Sequence, residues 1–222
     1  MSSASTVKMS RMIADIDRDY FFTRGITGRE RLPEYIRKIF VKVPRHEFVP
    51  SDLQDLAYEN CPLSIGHGQT ISQPFIVALM TDLLNPRKGD HILEVGCGCG
   101  YQAAILSLLV AEVYSTEIIS DLVDLARERL IRLGFNNVTV DNLDGYFGWP
   151  QHEPFDGIIV AAAAASVPEP LVKQLKTGGR LVMPLGSPYG SQKLVMITKG
   201  EGAVIHTAEI LPVAFVPLTG GH

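Results

Sequence analysis

The chain has 222 residues, enough for one α/β domain with a substantial core and an appended segment. Hydrophobic residues make up 46% of it and charged residues 20%, a balance typical of globular proteins that excludes a largely disordered chain. The formal net charge is −4 and no stripe of Lys and Arg stands out, so no nucleic-acid partner is expected.

Secretion and membrane insertion are also not expected. The N-terminus lacks the apolar core of a secretory signal, and no stretch approaches the roughly 18 apolar residues of a membrane-spanning helix. The three cysteines, Cys61, Cys97 and Cys99, cannot all pair within one chain. We therefore expect a reducing, cytoplasmic setting, no membrane partner, and a monomer.

The N-terminal third is predicted to be mostly helical. Its first ten or so residues are polar and are expected to be loosely held. Residues 29–40 carry apolar side chains at helical spacing, and the VPRHEFVP segment that follows has prolines that block continuation of the helix. A loop rich in Gly and Pro, CPLSIGHGQTISQP, then leads into a helix that starts near Pro74 and stops at Asn85 and Pro86.

Beyond residue 85 the hydrophobic pattern alternates between strands and helices. The runs that predict strands are residues 91–96, 112–117, 137–142, 155–163 and 179–186. The runs that predict helices are residues 101–109, 120–134 and 167–179. In the second of these helices we expect Ser120 to be the N-cap and Gly134 to form the C-terminal cap.

This alternation predicts an α/β fold with a Rossmann-like, doubly wound, mostly parallel sheet. An N-terminal helical segment precedes the sheet, and residues 192–199 and 203–215 alternate as a C-terminal antiparallel β-hairpin. We divide the chain into residues 1–85, a helical cap with a candidate active-site loop, and residues 86–222, the α/β body. Together they are expected to form one compact domain.

A glycine-rich turn, LEVGCGCGY, follows the first strand of the body. Its pattern is G-x-G-x-G, from Gly96, Gly98 and Gly100, and differs from the G-x-G-x-x-G of dinucleotide-binding folds. S-adenosylmethionine has no pyrophosphate, so a turn that binds it need not open a helix N-terminus toward two phosphates. Glu94, just before the turn, is placed to help hold the ammonium of the methionine moiety.

Acidic residues also stand at the ends of the next two strands. Glu117 lies 21 residues after Gly96, where a carboxylate can accept hydrogen bonds from both ribose hydroxyls, and Asp144 with Gly145 follows the third strand on the adenine side. Because all three features occur in strand order, the sequence predicts an S-adenosylmethionine site. Binding of NAD is the alternative.

Cys97 and Cys99 raise the question of a metal site. They are separated by one residue and the turn contains no Cys-x-x-Cys, so their partners would have to be distant, such as Cys61 or His91. We predict no metal and interpret both cysteines as small residues whose backbones face the cofactor.

Several blocks of the sequence resemble the protein-L-isoaspartate O-methyltransferase family. They are IGHGQTISQPFIVALMTDLL, LEVGCGCGYQAAIL, LDGYFGWPQHEPFDGIIVAAA, LVKQLKTGGRLVMPLG and FVPLTG, in the family's order and over about residues 30 to 220. GQTISQP is the most specific of these blocks. The resemblance implies a class I methyltransferase that moves the methyl group of S-adenosylmethionine to the α-carboxylate of L-isoaspartyl residues in damaged peptides and proteins.

By position, the resemblance also assigns residues to the site. Gln69, Thr70, Ile71 and Ser72 would form the active-site loop against the cofactor, with Ser72 the catalytic serine. Glu117, Asp144 and Gly145 would touch the cofactor, and Thr219 would lie close to the site.

Three departures from the family pattern stand out. GCGCGY replaces the common GTGSGY, and Leu143 replaces a glycine beside the adenine. An alanine run, residues 161–165, followed by Ser166, replaces an Ala-Ala-Pro sequence where the acceptor would pass. The first is a steric near-match that is compatible with cofactor binding, and the second removes one glycine beside the adenine. The third bears more on the identity of the acceptor than on the cofactor.

Two side chains in the loop have competing interpretations. Ser72 could orient the reactants or could simply cap the helix that opens at Pro74. His67 could act as a general base, or it could be a solvated loop histidine between glycines. An isoaspartyl carboxylate is already ionised at neutral pH, so the chemistry needs no base.

Three functions remain open at this point. They are an isoaspartyl methyltransferase, a class I methyltransferase acting on another carboxylate or a small molecule, and a cofactor-binding module without turnover. The intact GQTIS sequence disfavours the third.

Overall fold

In the computed structural model, which describes residues 3–187 and 190–221, six helices and nine strands alternate along the described chain. The helices are α1 (Ser3–Thr27), α2 (Glu34–Lys42), α3 (Pro74–Leu84), α4 (Tyr101–Ser107), α5 (Ser120–Arg132) and α6 (Glu169–Gln174). The strands are β1 (Leu63–Gly66), β2 (Gln69–Ile71), β3 (His91–Val95), β4 (Glu112–Glu117), β5 (Val138–Asn142), β6 (Phe155–Val160), β7 (Leu175–Gly186), β8 (Gln192–Lys199) and β9 (Ile205–Val213). Short 3₁₀ turns cover Arg45–Phe48, Ser51–Leu56, Gly145–Phe147, Pro150–His152 and Glu201–Ala203.

Seven strands form one sheet in the order β5-β4-β3-β6-β7-β8-β9. The pairs from β5 to β7 are parallel, and β7-β8 and β8-β9 are antiparallel. The chain builds outward from β3 to β5 and then returns to place β6 on the other side of β3. This switch point is where open α/β sheets bind ligands, at the carboxyl ends of the strands. The predicted Rossmann-like sheet and the C-terminal antiparallel hairpin are confirmed.

Both faces of the parallel strands are covered, which explains their continuous apolar runs. On β3, Ile92 packs into one hydrophobic cluster while Leu93 and Val95 pack into a second. The first cluster also takes in Met12 and Leu79 from the N-terminal segment. We therefore propose that the segments on either side of residue 85 fold as one unit.

The N-terminus differs from the expectation of a loosely held segment. α1 begins at Ser3, and Met9 and Met12 on its inner face are 3% and 0% exposed. The polar residues of this segment lie on the outer face of a helix, so low overall hydrophobicity did not reveal that one stripe is buried. No helix among the described residues is long and apolar enough to cross a membrane.

Three helix boundaries also differ from the sequence interpretation. α2 begins at Glu34, after Pro33, and not at residue 29. Ser120 is the first residue of α5 and the N-cap is Ile119, without a side-chain capping bond. α6 ends at Gln174, because Leu175 already pairs with Phe155 in the sheet and the following residues continue as β7.

Candidate active site

A cleft, here called the main cleft, opens at the carboxyl ends of the parallel strands. The residues that follow β3, β4, β5 and β6 all line it, as do parts of β2 and of the C-terminal segment. Ten of the twelve site residues predicted from the sequence are in its wall: Gln69, Thr70, Ile71, Ser72, Glu94, Gly96, Gly98, Glu117, Gly145 and Thr219. The remaining two, Gly100 and Asp144, are not among its lining residues.

The glycine-rich turn is pinned to the end of β4. Gly98 donates its backbone N–H to Glu117 Oε2 (2.8 Å), and Ile119 donates to Oε1 (3.1 Å). Gly96 and Gly98 have φ of 88° and 54°, in the left-handed region that favours glycine. Glu117 is therefore held in a fixed orientation at the edge of the cleft, 7% exposed.

Gly100 has a packing role. Its φ is 88° as the N-cap of α4, and a Cβ there would approach Leu130 Cδ1 to 3.2 Å. The close fit between the turn and α5 explains why a third glycine follows the pattern. A direct contact between Gly100 and the cofactor stays a prediction.

Asp144 and Gly145 have different structural roles. Asp144 accepts hydrogen bonds from the backbone N–H groups of Tyr146 and Gly221, both at 3.0 Å, and so ties the C-terminal segment to the end of β5. Gly145 lies against β3, where a Cβ would come within 2.3 Å of Val95 Cγ1. Only glycine fits there, while Leu143 beside it lines the cleft.

The loop before α3 contains a two-stranded antiparallel hairpin, β1-β2, in a stretch that the sequence indicated only as loop. His67 sits in its turn with φ of 53°, and its Nε2 lies 3.7 Å from Asp121 Oδ2. His67 is not among the lining residues of the cleft. The geometry therefore does not place it as a base.

Ser72 follows β2 directly. The N-cap of α3 is Gln73, whose side chain makes no capping hydrogen bond, and the first-turn N–H of Phe75 donates to Asn60 Oδ1 and not to Ser72. The interpretation of Ser72 as the helix cap is therefore wrong. Ser72 instead lines the main cleft and also a second cavity beside it.

Arg45, which sequence reasoning missed, fixes the backbone of Ser72 by a hydrogen bond to its carbonyl. It is fully buried, and its Nη2 donates to the Ser72 carbonyl (2.9 Å) while its Nε donates to the Ala57 carbonyl (2.8 Å). The guanidinium carbon lies 4.9 Å from the ring centroid of Tyr101, the first residue of α4. No signal in VPRHEFVP could have revealed it, because its burial depends on contacts with Ala57 and Ser72, 12 and 27 residues further along the chain.

The second cavity, here called the side cavity, has a volume of about 610 Å³. It shares four lining residues with the main cleft: Thr70, Ser72, Ala161 and Val216. Ala161, the first residue of the alanine run, belongs to this shared border. Further along the run, Ala163 exchanges backbone hydrogen bonds with Val216 and Leu218 (both 2.8 Å). Small side chains let the C-terminal segment approach the end of β6.

The cysteines of the turn are enclosed. Cys97 and Cys99 are 4% and 5% exposed, and burial raises the pKa of both thiols. Among the described residues there is no group of three or more His, Cys, Asp or Glu side chains arranged to hold a metal ion. That no metal binds remains a prediction.

Comparison with known proteins supports the same interpretation. The chain matches the family model described as Protein-L-isoaspartate(D-aspartate) O-methyltransferase over residues 10–222. Protein-L-isoaspartate O-methyltransferase 2 of Syntrophobacter fumaroxidans is 53% identical over 213 residues, or 96% of this chain and 86% of that protein. The chain belongs to this family. Its namesake in Nitrosococcus oceani is 53% identical over 95% of this chain and 96% of that protein.

Solved structures share the fold of this chain. A protein-L-isoaspartate O-methyltransferase superimposes with a TM-score of 0.83 at 28% identity, over 96% of this chain; the chain spans 66% of the length of that protein. A structure from Plasmodium falciparum in complex with S-adenosyl-L-homocysteine shares the fold, with a TM-score of 0.75 at 24% identity. S-adenosylmethionine is the methyl donor of this family, as the glycine-rich turn predicted.

The main cleft of this methyltransferase fits that donor. Glu94 lines it and is 0% exposed; Ser115 donates to its Oε2, while its Oε1 has no hydrogen-bond partner among the described residues. Burial raises the pKa of the Glu94 carboxyl to about 8. An unpartnered buried carboxyl of this kind matches an ammonium group, which would stabilise its ionised form.

Proposed function

We propose that this methyltransferase moves the methyl group of S-adenosylmethionine to the free α-carboxylate of L-isoaspartyl residues in damaged peptides and proteins. The observation that carries the proposal is the wall shared by the two cavities. Ser72 and Thr70 line both, so a donor in the main cleft and an acceptor in the side cavity would meet at these hydroxyls.

The reaction asks for positioning and not for proton transfer. When bound, S-adenosylmethionine supplies a methyl group on a positively charged sulfur. The acceptor is an α-carboxylate with a pKa of roughly 3.5, so it is already the nucleophile at neutral pH. The protein must remove water from it and hold one oxygen in line with the methyl carbon.

The side cavity suits this task. Most of its lining is apolar, including Phe75, Ile76, Leu211 and Phe215, which excludes water from an entering carboxylate. We assign Ser72 to orient the carboxylate through its hydroxyl, with its backbone fixed by Arg45. Glu94, Glu117 and the glycine-rich turn would hold the donor.

Labelled methyl transfer tests the proposal. Two peptides of identical sequence, one with isoaspartate and one with normal aspartate, are incubated with the enzyme and methyl-labelled S-adenosylmethionine. We expect label only on the isoaspartyl peptide, because normal aspartate carries its free carboxylate on a side chain of different reach. Equal labelling of both would favour a methyltransferase for another carboxylate. Donor binding without labelling of either would indicate a module without turnover.

The cellular setting and assembly follow as further parts of the proposal. Two of the three free cysteines are buried and Cys61 is exposed, which suits a reducing, cytoplasmic compartment. We also propose a monomer that acts on protein and peptide substrates without a nucleic acid or a membrane. Light scattering after gel filtration should give a mass near 24.3 kDa, and twice that mass would contradict the monomer.

A further inference from the structure

The side cavity contains one charged side chain among its lining residues. Asp19 comes from α1, and the other lining residues are apolar or neutral. Thr23, one turn further along the helix, also lines the cavity, but its hydroxyl donates to the Asp19 backbone carbonyl (2.7 Å). The Asp19 carboxylate is therefore the strongest electrostatic feature of this cavity.

Neighbouring amides hold the carboxylate in one orientation. Its Oδ2 accepts hydrogen bonds from Asn60 Nδ2 (2.7 Å) and Gln73 Nε2 (3.3 Å). Asn60 is itself fixed, because its Oδ1 accepts from the Phe75 backbone N–H (3.0 Å). The network spans α1, the loop before β1 and the start of α3, so the position of Asp19 is built by three separate segments.

The described residues give this carboxylate no cationic partner. No Lys, Arg or His among the described residues lies within 4.0 Å of it, although several other acids of the N-terminal segment, such as Asp15 and Asp17, are paired with arginines. Its Oδ1 also accepts no hydrogen bond from the described residues. The half-buried Asp19 carboxylate therefore presents a negative charge, without a cationic partner among the described residues, to a mostly apolar cavity, where electrostatic interactions are stronger than in bulk water.

The negative charge of Asp19 should attract or repel charged groups beside the isoaspartyl residue of a bound acceptor. The acceptor carboxylate is negative as well, so two like charges would occupy one cavity, which disfavours binding. A cationic group beside the isoaspartyl residue would compensate both charges and donate to Oδ1. A second carboxylate at that position would add repulsion.

We propose that Asp19 is a specificity-determining residue that selects acceptors with a Lys, an Arg or a free amino group next to the isoaspartyl residue. The inference rests on the proposed function, since it assigns the side cavity to the acceptor. Asp19 touches the acceptor's neighbour and takes no part in methyl transfer itself.

Three isoaspartyl peptides that differ only in the next residue, Lys, Gln or Glu, test the selection. For the wild-type enzyme we expect kcat/KM to fall in the order Lys, Gln, Glu, with about a tenfold difference between Lys and Glu that resides mainly in KM. In Asp19→Asn the ratio should fall to about two, because the amide oxygen still accepts from Asn60 and Gln73 while the charge is gone. Asp124→Asn removes the same charge from the exposed surface of α5 and should keep the wild-type ratio.

The outcomes separate this inference from the function on which it rests. Labelling of all three peptides with equal kcat/KM in the wild type, or an unchanged ratio in Asp19→Asn, would overturn the role of Asp19 and leave the methyltransferase intact. Failure to label any of the three would refute the proposed function and the inference with it. If Asp19→Asn does not fold, the order of the three peptides in the wild type still decides whether the cavity selects by charge.

Discussion

The main cleft and the side cavity are built in different ways. The main cleft is formed largely by residues at the ends of successive strands: Glu94 in β3 and Gly96 just after it, Glu117 at the end of β4, and Gly145 after β5. The side cavity is formed by segments far apart in the chain, namely α1, residues 62–76, Ala161 after β6, and residues 211–216.

This difference separates two properties that can be measured independently. A change in the main cleft should alter binding of the donor, and a change in the side cavity should alter the choice of acceptor. Changes at the shared border, which includes Ser72, or at residues that fix its position should alter the rate at which bound reactants combine.

The shared border is tested by Ser72→Ala. We expect kcat to fall by about 10- to 1000-fold through misplacement of the reactants, while affinity for S-adenosylhomocysteine changes less than about twofold. The melting temperature should be unchanged, because the side chain caps no helix. Ser120→Ala, an exposed serine at the start of α5, is the control and should retain full turnover. A loss of stability with turnover intact would return Ser72 to a structural role.

The main cleft alone is tested by Glu117→Ala. We expect donor affinity to weaken by about 1.5–3 kcal/mol, roughly 10- to 150-fold, through loss of a charged hydrogen-bond acceptor. The KM for the acceptor peptide should stay near the wild-type value. Calorimetry on Glu117→Gln provides the comparison, since the amide retains one acceptor oxygen and should weaken binding less. Equal donor affinity in all three proteins would contradict the assignment.

Arg45 connects Ser72, which lines both cavities, with Tyr101 at the start of α4. It donates a hydrogen bond to the Ser72 carbonyl, and its guanidinium lies over the Tyr101 ring. Arg45→Lys keeps the charge but loses the planar fork of donors, so kcat should fall about tenfold with donor affinity nearly constant. Arg132→Lys, at an exposed arginine paired with Glu47, is the matched control. Wild-type kcat in Arg45→Lys would show that the fork does not position Ser72.

Glu94 makes donor binding depend on pH. Its carboxyl has a pKa of about 8 in the free protein, and an ammonium beside it would favour the ionised form. Affinity for S-adenosylhomocysteine should therefore rise on the order of tenfold between about pH 6 and 7.5. The stability of the free protein should change with pH in the opposite direction to donor affinity. Because the pKa of Glu94 is higher in the folded than in the unfolded state, the free energy of unfolding falls as pH rises from 4.5 to about 8. Glu94→Gln should remove both dependences, and a pH dependence equal to wild type would exclude Glu94 as the cause.

The same contrast explains what the sequence could predict. Glycine turns and strand-end acids such as Glu117 follow from local pattern, because the carboxyl ends of parallel strands meet at one edge of a sheet. Asp19 and Arg45 could not be found in this way, since their roles depend on contacts with Asn60 and Ser72 across 41 and 27 residues of sequence. The N-terminal helix was underestimated for the same reason. Its buried stripe is defined by the elements it packs against.

We propose that this enzyme transfers the methyl group by positioning two reactants that need no base. The pH dependence of kcat at saturating donor and acceptor tests this mechanism. We predict a nearly flat profile from about pH 6 to 8.5. The acceptor carboxylate is ionised over this whole range, and at saturating donor the effect of Glu94 on donor affinity no longer changes the rate. A rising limb near roughly 6.5, the ordinary pKa of an imidazole, that disappears in His67→Ala would contradict it.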